Sequence, residues 1–157
     1  MFEILFDAFI TALPGLWLAF GVHDNLRHPD NNREAVMRVL AMEGLGDYPE
    51  VGARVGHRRI TDPRIVRRLF AVIVAGELLA TMLMLLGAAL LLGATLGLFA
   101  AAPAYLIAEA GLLAFAAVWG GMLIGGQYFY YWYGDHGQST HLLALLWGLV
   151  SVALLRL

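Results

Sequence analysis

From Leu69 to Leu155 the chain carries only three formally charged residues, Glu77, Glu109 and Asp135. A water-soluble domain places charges at about a quarter of its positions, because its surface must stay wetted. Apolar runs of 18 or more residues are instead solved by helices that cross lipid, since about 20 residues at 1.5 Å rise span the hydrocarbon core. The pattern therefore predicts an integral membrane protein. Its composition agrees: 61% of the 157 residues are hydrophobic and 18 are glycine, which leaves little for a separate soluble core.

The spacing of apolar runs predicts an all-α, four-span transmembrane bundle forming one domain over residues 1–157. The spans are expected at about 4–22, 69–93, 105–126 and 140–156. Pro14 is expected to kink the first span. The second has a start signal in Asp62 as cap and Pro63 at the first helical position, where a missing N–H costs nothing. A tight Gly/Ala-rich turn, residues 94–103, separates the second and third spans. Four spans place both termini on one membrane face. The polar segment 23–68 and the aromatic linker 127–139 then form a cap on the other. Within that cap, Asn31 to Met42 reads as a short amphipathic helix. Ala35, Val36, Val39 and Leu40 recur at helical spacing, Glu34–Arg38 is an i,i+4 pair, and Asn31 with Glu34 resembles a capping box.

Net charge is −2, which offers no attraction for nucleic acid, and the absence of cysteine removes disulfides, thiolate metal sites and a cysteine nucleophile. No nucleophile elbow, phosphate loop, HExxH run or dinucleotide fingerprint is present. Whether the chain is an enzyme stays open, and the lack of a catalytic constellation leans against it. All ten basic residues are Arg, which fits a GC-rich bacterial genome and hence the bacterial inner membrane. The first apolar run opens on Glu3 and Asp7 rather than a basic region, so it is read as a retained helix.

Four features could carry function. Glu77 lies about 12 Å along the second span from Leu69. An ionisable group at that depth faces a bundle interior or polar cavity. It could relay protons, ligate a metal or contact a bound polar group, or simply hydrogen-bond between helices with Thr81 on the same face. Ala117, Gly121 and Gly125 recur at four-residue spacing on the third span, which allows close helix approach within the bundle or against a partner. Tyr128 to Tyr133 are six consecutive aromatics, including Phe129 and Trp132; they suit an interfacial belt or a stacking platform for a quinone, pigment or headgroup. His23, His136 and His141 fall on one membrane face and, with Glu77 and Trp132, are the candidates for holding a haem, metal or quinone. No ligand spacing matches a known metal motif, and no cofactor is predicted outright. A basic patch that includes Arg58, Arg59, Arg64, Arg67 and Arg68 reads as headgroup contact or acidic-partner docking.

Several of these pieces occur together and in order. They are Asn25 after the first span, Val36-x-x-Val39-Leu40-x-Met42, Arg58-x-Ile60-Thr61-x-Pro63, Glu77, and Ile124-Gly125-Gly126-x-x-Phe129-x-x-Trp132. In this the chain resembles domain-of-unknown-function family 2165, predicted small integral membrane proteins of bacteria. The resemblance implies the fold and carries no activity. Gln127 stands where the family tends to have Glu, and the basic loop usual between the second and third spans is absent. That loop implies a polar segment outside the cytoplasm, whereas nine of the ten Arg residues lie in 23–68, which argues for the cytoplasmic side. Orientation stays open between them. The function expected is an accessory or structural subunit of a larger inner-membrane complex, with the bilayer and a membrane-protein partner or second copy as contacts. The alternative is a redox or ligand-binding membrane protein.

Overall fold

The computed structural model describes residues 2–134 and 137–157. Six α-helices account for most of them: α1 (Phe2–Arg27), α2 (Pro29–Leu40), α3 (Pro49–Val55), α4 (Pro63–Thr95), α5 (Ala101–Tyr128) and α6 (Gln138–Leu154). Single 3₁₀ turns lie at Glu43–Leu45, Gly56–Arg58 and Tyr131–Tyr133, and no strand occurs among the described residues. Helices α1, α4 and α5 are long and apolar enough to cross a membrane. Helix α6 is apolar but only 17 residues long, about 25 Å against a hydrocarbon core of about 30 Å.

Helix ends differ from those expected for physical reasons. Helix α1 continues to Arg27 rather than stopping near Val22, because Asn25 is buried and satisfied on its inner face. Pro14 is fully buried inside that helix. Helix α2 starts at Pro29 behind His28, and no side chain caps it. The Asn31/Glu34 capping box is thus displaced by a proline whose φ already suits a first turn. The Glu34–Arg38 pair does form, at 3.8 Å. Asp62 caps α4 as its sequence predicts, its carboxylate accepting from the Arg64 N–H at 2.7 Å. Helix α5 begins at Ala101, ahead of Pro103, since a proline in the first turn removes an N–H that has no intrahelical partner anyway.

Helices α4 and α5 run antiparallel and touch almost backbone to backbone. A Cβ on Gly87 would lie 2.5 Å from Ala108 Cα, and one on Gly111 would lie 2.5 Å from the Met84 nitrogen. Helix α1 lies on the other flank of α4, where Gly15 meets Met84 and Leu85. Helix α6 packs on α5 through Gly148, which abuts the Phe115 ring and Ala116. Leu18, Ala80, Met84, Leu112, Phe115 and Trp119 join one buried core. Trp17, Phe115, Trp119 and Trp147 fill the space where α1, α5 and α6 meet, with ring centroids 5.5–6.4 Å apart. Phe20, Val72, Leu106, Ile124 and Leu143 point outward. That is an arrangement lipid favours and water opposes.

The polar segment folds over the same end of the bundle as the aromatic linker. The Ile60 N–H donates to the Leu40 carbonyl at 2.9 Å and closes the segment on itself. Gly44 approaches Gly134 so closely that a Cβ there would sit 2.7 Å from the Gly134 nitrogen. Tyr48 packs edge-on to Tyr133 at 4.6 Å. Arg58 lies over the Tyr128 ring at 4.8 Å and the Tyr130 ring at 5.6 Å. Met42 and Tyr130 precede the two abutting 3₁₀ turns, and both hold left-handed backbone, with φ of 54° and 56°.

Candidate functional site

Beneath this cap, three polar side chains from three helices form a line. Asn32 in α2 donates through Nδ2 to Asn25 Oδ1 at 2.6 Å, and Asn25 in α1 donates through Nδ2 to Glu77 Oε2 at 2.7 Å. Asn25 and Glu77 are buried and Asn32 is exposed, so the line leads from the bundle interior to the surface of the polar cap. A carboxyl group removed from water is costly to leave without a partner. Its partner here is Asn25 and not Thr81, which was expected to assist. Thr81 Oγ1 is buried without a hydrogen-bond partner. The α1–α2 connection makes the line, because His28 and Pro29 turn the chain sharply enough for residue 32 to fold back on residue 25.

A second cluster lies beside α5. His141, in the first turn of α6, stacks nearly parallel to Tyr131 (14° between planes, centroids 6.0 Å apart) and packs on Trp119 at 5.4 Å. The Tyr131 ring is seated on Gly126, where a Cβ would come within 2.5 Å of it. Trp119 Nε1, the Tyr131 hydroxyl and His141 Nδ1 are all buried without a hydrogen-bond partner. Burial pushes the Tyr131 phenol above its ordinary pKa, which keeps it neutral and able to donate.

The remaining candidates disperse. His23 is exposed, with Asp24 as its neighbour at 3.4 Å, and has no share in the His141 cluster. His136 lies outside the described residues. Among the described residues no three His, Asp or Glu side chains gather as metal ligands would. Trp132 is partly exposed and stacks on Tyr130 at 4.9 Å, with Tyr128 and Phe129 edge-on nearby. Ala117 and Gly121 face outward, and a Cβ on Gly121 or Gly125 would meet nothing within 4 Å. Close packing inside the bundle is carried by Gly87, Gly111 and Gly148 instead.

Sequence reasoning missed Asn32 and Trp119, and it singled out Tyr131 only as one of six consecutive aromatics. It also missed two polar pairs toward the opposite end. There Tyr105 donates its hydroxyl to Asp7 at 2.6 Å, and Arg156 pairs with Glu109. Asn25 was visible only through family resemblance; nothing in local spacing ties it to Glu77, 52 residues away.

Neither the curated proteins nor the solved structures contain a match to this chain. A family model described as predicted small integral membrane protein, domain of unknown function 2165, matches residues 3–157. With essentially the whole chain covered, and with Asn25 and Glu77 from the family-like positions joined by one hydrogen bond, the protein belongs to domain-of-unknown-function family 2165.

Proposed function

We propose that the protein is a non-catalytic accessory or structural subunit of a larger assembly in the bacterial inner membrane, with α6 as its fourth span. The carrying observation is the outward stripe of Ala117, Gly121 and Gly125 on α5. Within the bundle, small residues are covered wherever helices touch; this stripe is open over two turns. A helix laid against it could approach as closely as α4 approaches α5, and tight packing is what holds membrane helices together in the absence of a hydrophobic drive. Tyr128, Phe129 and Trp132 continue the contact surface at the membrane boundary.

The test compares two glycines of one helix. Gly111→Leu should unfold the bundle, because Met84 backbone occupies the space. Gly121→Leu should leave the thermal stability of the purified chain unchanged while reducing the size of the complex seen on native gels of solubilised membranes. An unchanged complex with Gly121→Leu refutes the interface.

A second reading, a ligand-binding or redox membrane protein, is favoured by the stack of Trp119, His141 and Tyr131 with its three unpartnered polar atoms. Buried donors without partners are what a bound quinone carbonyl or similar group would satisfy. An absorbance spectrum, metal analysis and organic extraction of protein purified in mild detergent decide it. A preparation free of chromophore, metal and quinone counts against this reading.

A further inference from the structure

The first turns of α4 carry a second surface that the subunit reading does not use. Arg64, Arg67 and Arg68 stand at i, i+3 and i+4 and line, with Ala71, a surface pocket of about 320 Å³. All four residues are exposed. Four of the seven other guanidinium groups have partners: Arg33 pairs with Asp30, Arg38 with Glu34, Arg156 with Glu109, and Arg58 lies over two tyrosine rings. Arg27, Arg54 and Arg59 stand singly or in a pair rather than three on one helical face. No carboxylate among the described residues lies within ion-pair distance of Arg64, Arg67 or Arg68. Three like charges held on one helical face repel each other, so an anion between them is the arrangement that relieves the repulsion.

The same helical face continues into the apolar part of α4. Ala71, Ala75, Leu78 and Met82 follow the arginines at helical spacing, and each is exposed on the outside of the bundle. Ala71 and Ala75 are the smallest residues of this exposed face. A charged group bound by the arginines would therefore have an exposed apolar helix face leading away from it into the membrane. A free anion would need only the pocket. A phospholipid uses the pocket and the apolar face together, and the charge requires its headgroup to be anionic.

The geometry points to a binding site for an anionic phospholipid, with the headgroup phosphate forked between Arg64, Arg67 and Arg68 and an acyl chain along Ala71, Ala75, Leu78 and Met82. Guanidinium groups suit this role because their planar donors engage phosphate oxygens two at a time. Its location at the start of a span places the site at headgroup depth.

The test is native mass spectrometry of the full chain in mild detergent, titrated separately with phosphatidylglycerol, phosphatidylcholine and inorganic phosphate. Phosphatidylglycerol should bind at least about tenfold more tightly than phosphatidylcholine. Each arginine replaced by Gln should weaken it about fivefold, and Arg64→Gln/Arg67→Gln/Arg68→Gln together about a hundredfold. Lys at all three positions should retain intermediate binding, since charge persists and the fork does not. Arg38→Gln, which removes a paired charge elsewhere, should change nothing. Should the triple Gln variant fail to purify, Arg67→Gln alone decides on its expected fivefold loss. Equal affinity for the two lipids, or undiminished binding in the Gln variants, overturns the site. So does an equal loss with Arg38→Gln, which would mean net charge alone. Full displacement of the lipid by millimolar inorganic phosphate would identify a free-anion site and overturn the lipid assignment.

Discussion

Replacing Asn25 by leucine keeps the branching at Cγ but deletes both ends of a two-bond line. Glu77 loses the Nδ2 donor at 2.7 Å, and Asn32 loses its acceptor at 2.6 Å. The two losses are unequal. Asn32 is exposed and can turn to water, so its share is about 0.5 kcal/mol, the low end for a neutral hydrogen bond. Glu77 is 5% exposed and cannot. An unsatisfied buried group costs about 1–3 kcal/mol, while interhelical bonds measured within bilayers average about 0.6 and reach about 1.7 kcal/mol. The bilayer measurements favour the lower part of the range, about 1–1.5 kcal/mol. We therefore expect Asn25→Leu to destabilise by about 1.5–2 kcal/mol in equilibrium unfolding from mild detergent. Glu77→Gln retains an amide carbonyl that can accept from Asn25 and should cost less than about 0.5 kcal/mol. Glu77→Leu should cost about 1–1.5 kcal/mol, because it strands the Asn25 donor but leaves the Asn32–Asn25 bond in place. The double variant Asn25→Leu/Glu77→Leu should cost less than the sum by about 1 kcal/mol, because the second change removes a group that the first had stranded. Additivity within about 0.3 kcal/mol would refute the reasoning, showing that the two side chains do not depend on one another.

Gly44→Ala should destabilise by roughly 1–3 kcal/mol, since the new methyl meets backbone at Gly134 rather than a movable side chain; thermal unfolding at the wild-type temperature would disprove the cap–linker contact. The absence of native cysteine permits single-cysteine labelling of intact cells: Asp47→Cys and Ser139→Cys should react from one side of the membrane and Leu98→Cys from the other. Leu157→Cys should label with Leu98→Cys if α6 crosses the bilayer, and labelling with Asp47→Cys would remove the fourth span.

The sequence by itself determined that this is an all-helical integral membrane protein, where α4 starts, and that Glu77 is buried. Those properties follow from local causes: runs without charge, an Asp-Pro start signal, and the cost of a carboxyl group in lipid. Only the tertiary structure decided what Glu77 touches, because its partner is 52 residues away and reaches it only when α1 packs against α4. The same holds for the glycines. Gly111 and Gly121 are alike in sequence, yet one meets Met84 backbone and the other open space. Which face of a uniformly apolar helix turns inward is not written in its composition, since lipid and core are equally apolar. Shape complementarity between helices selects that face, and it exists only once they are packed.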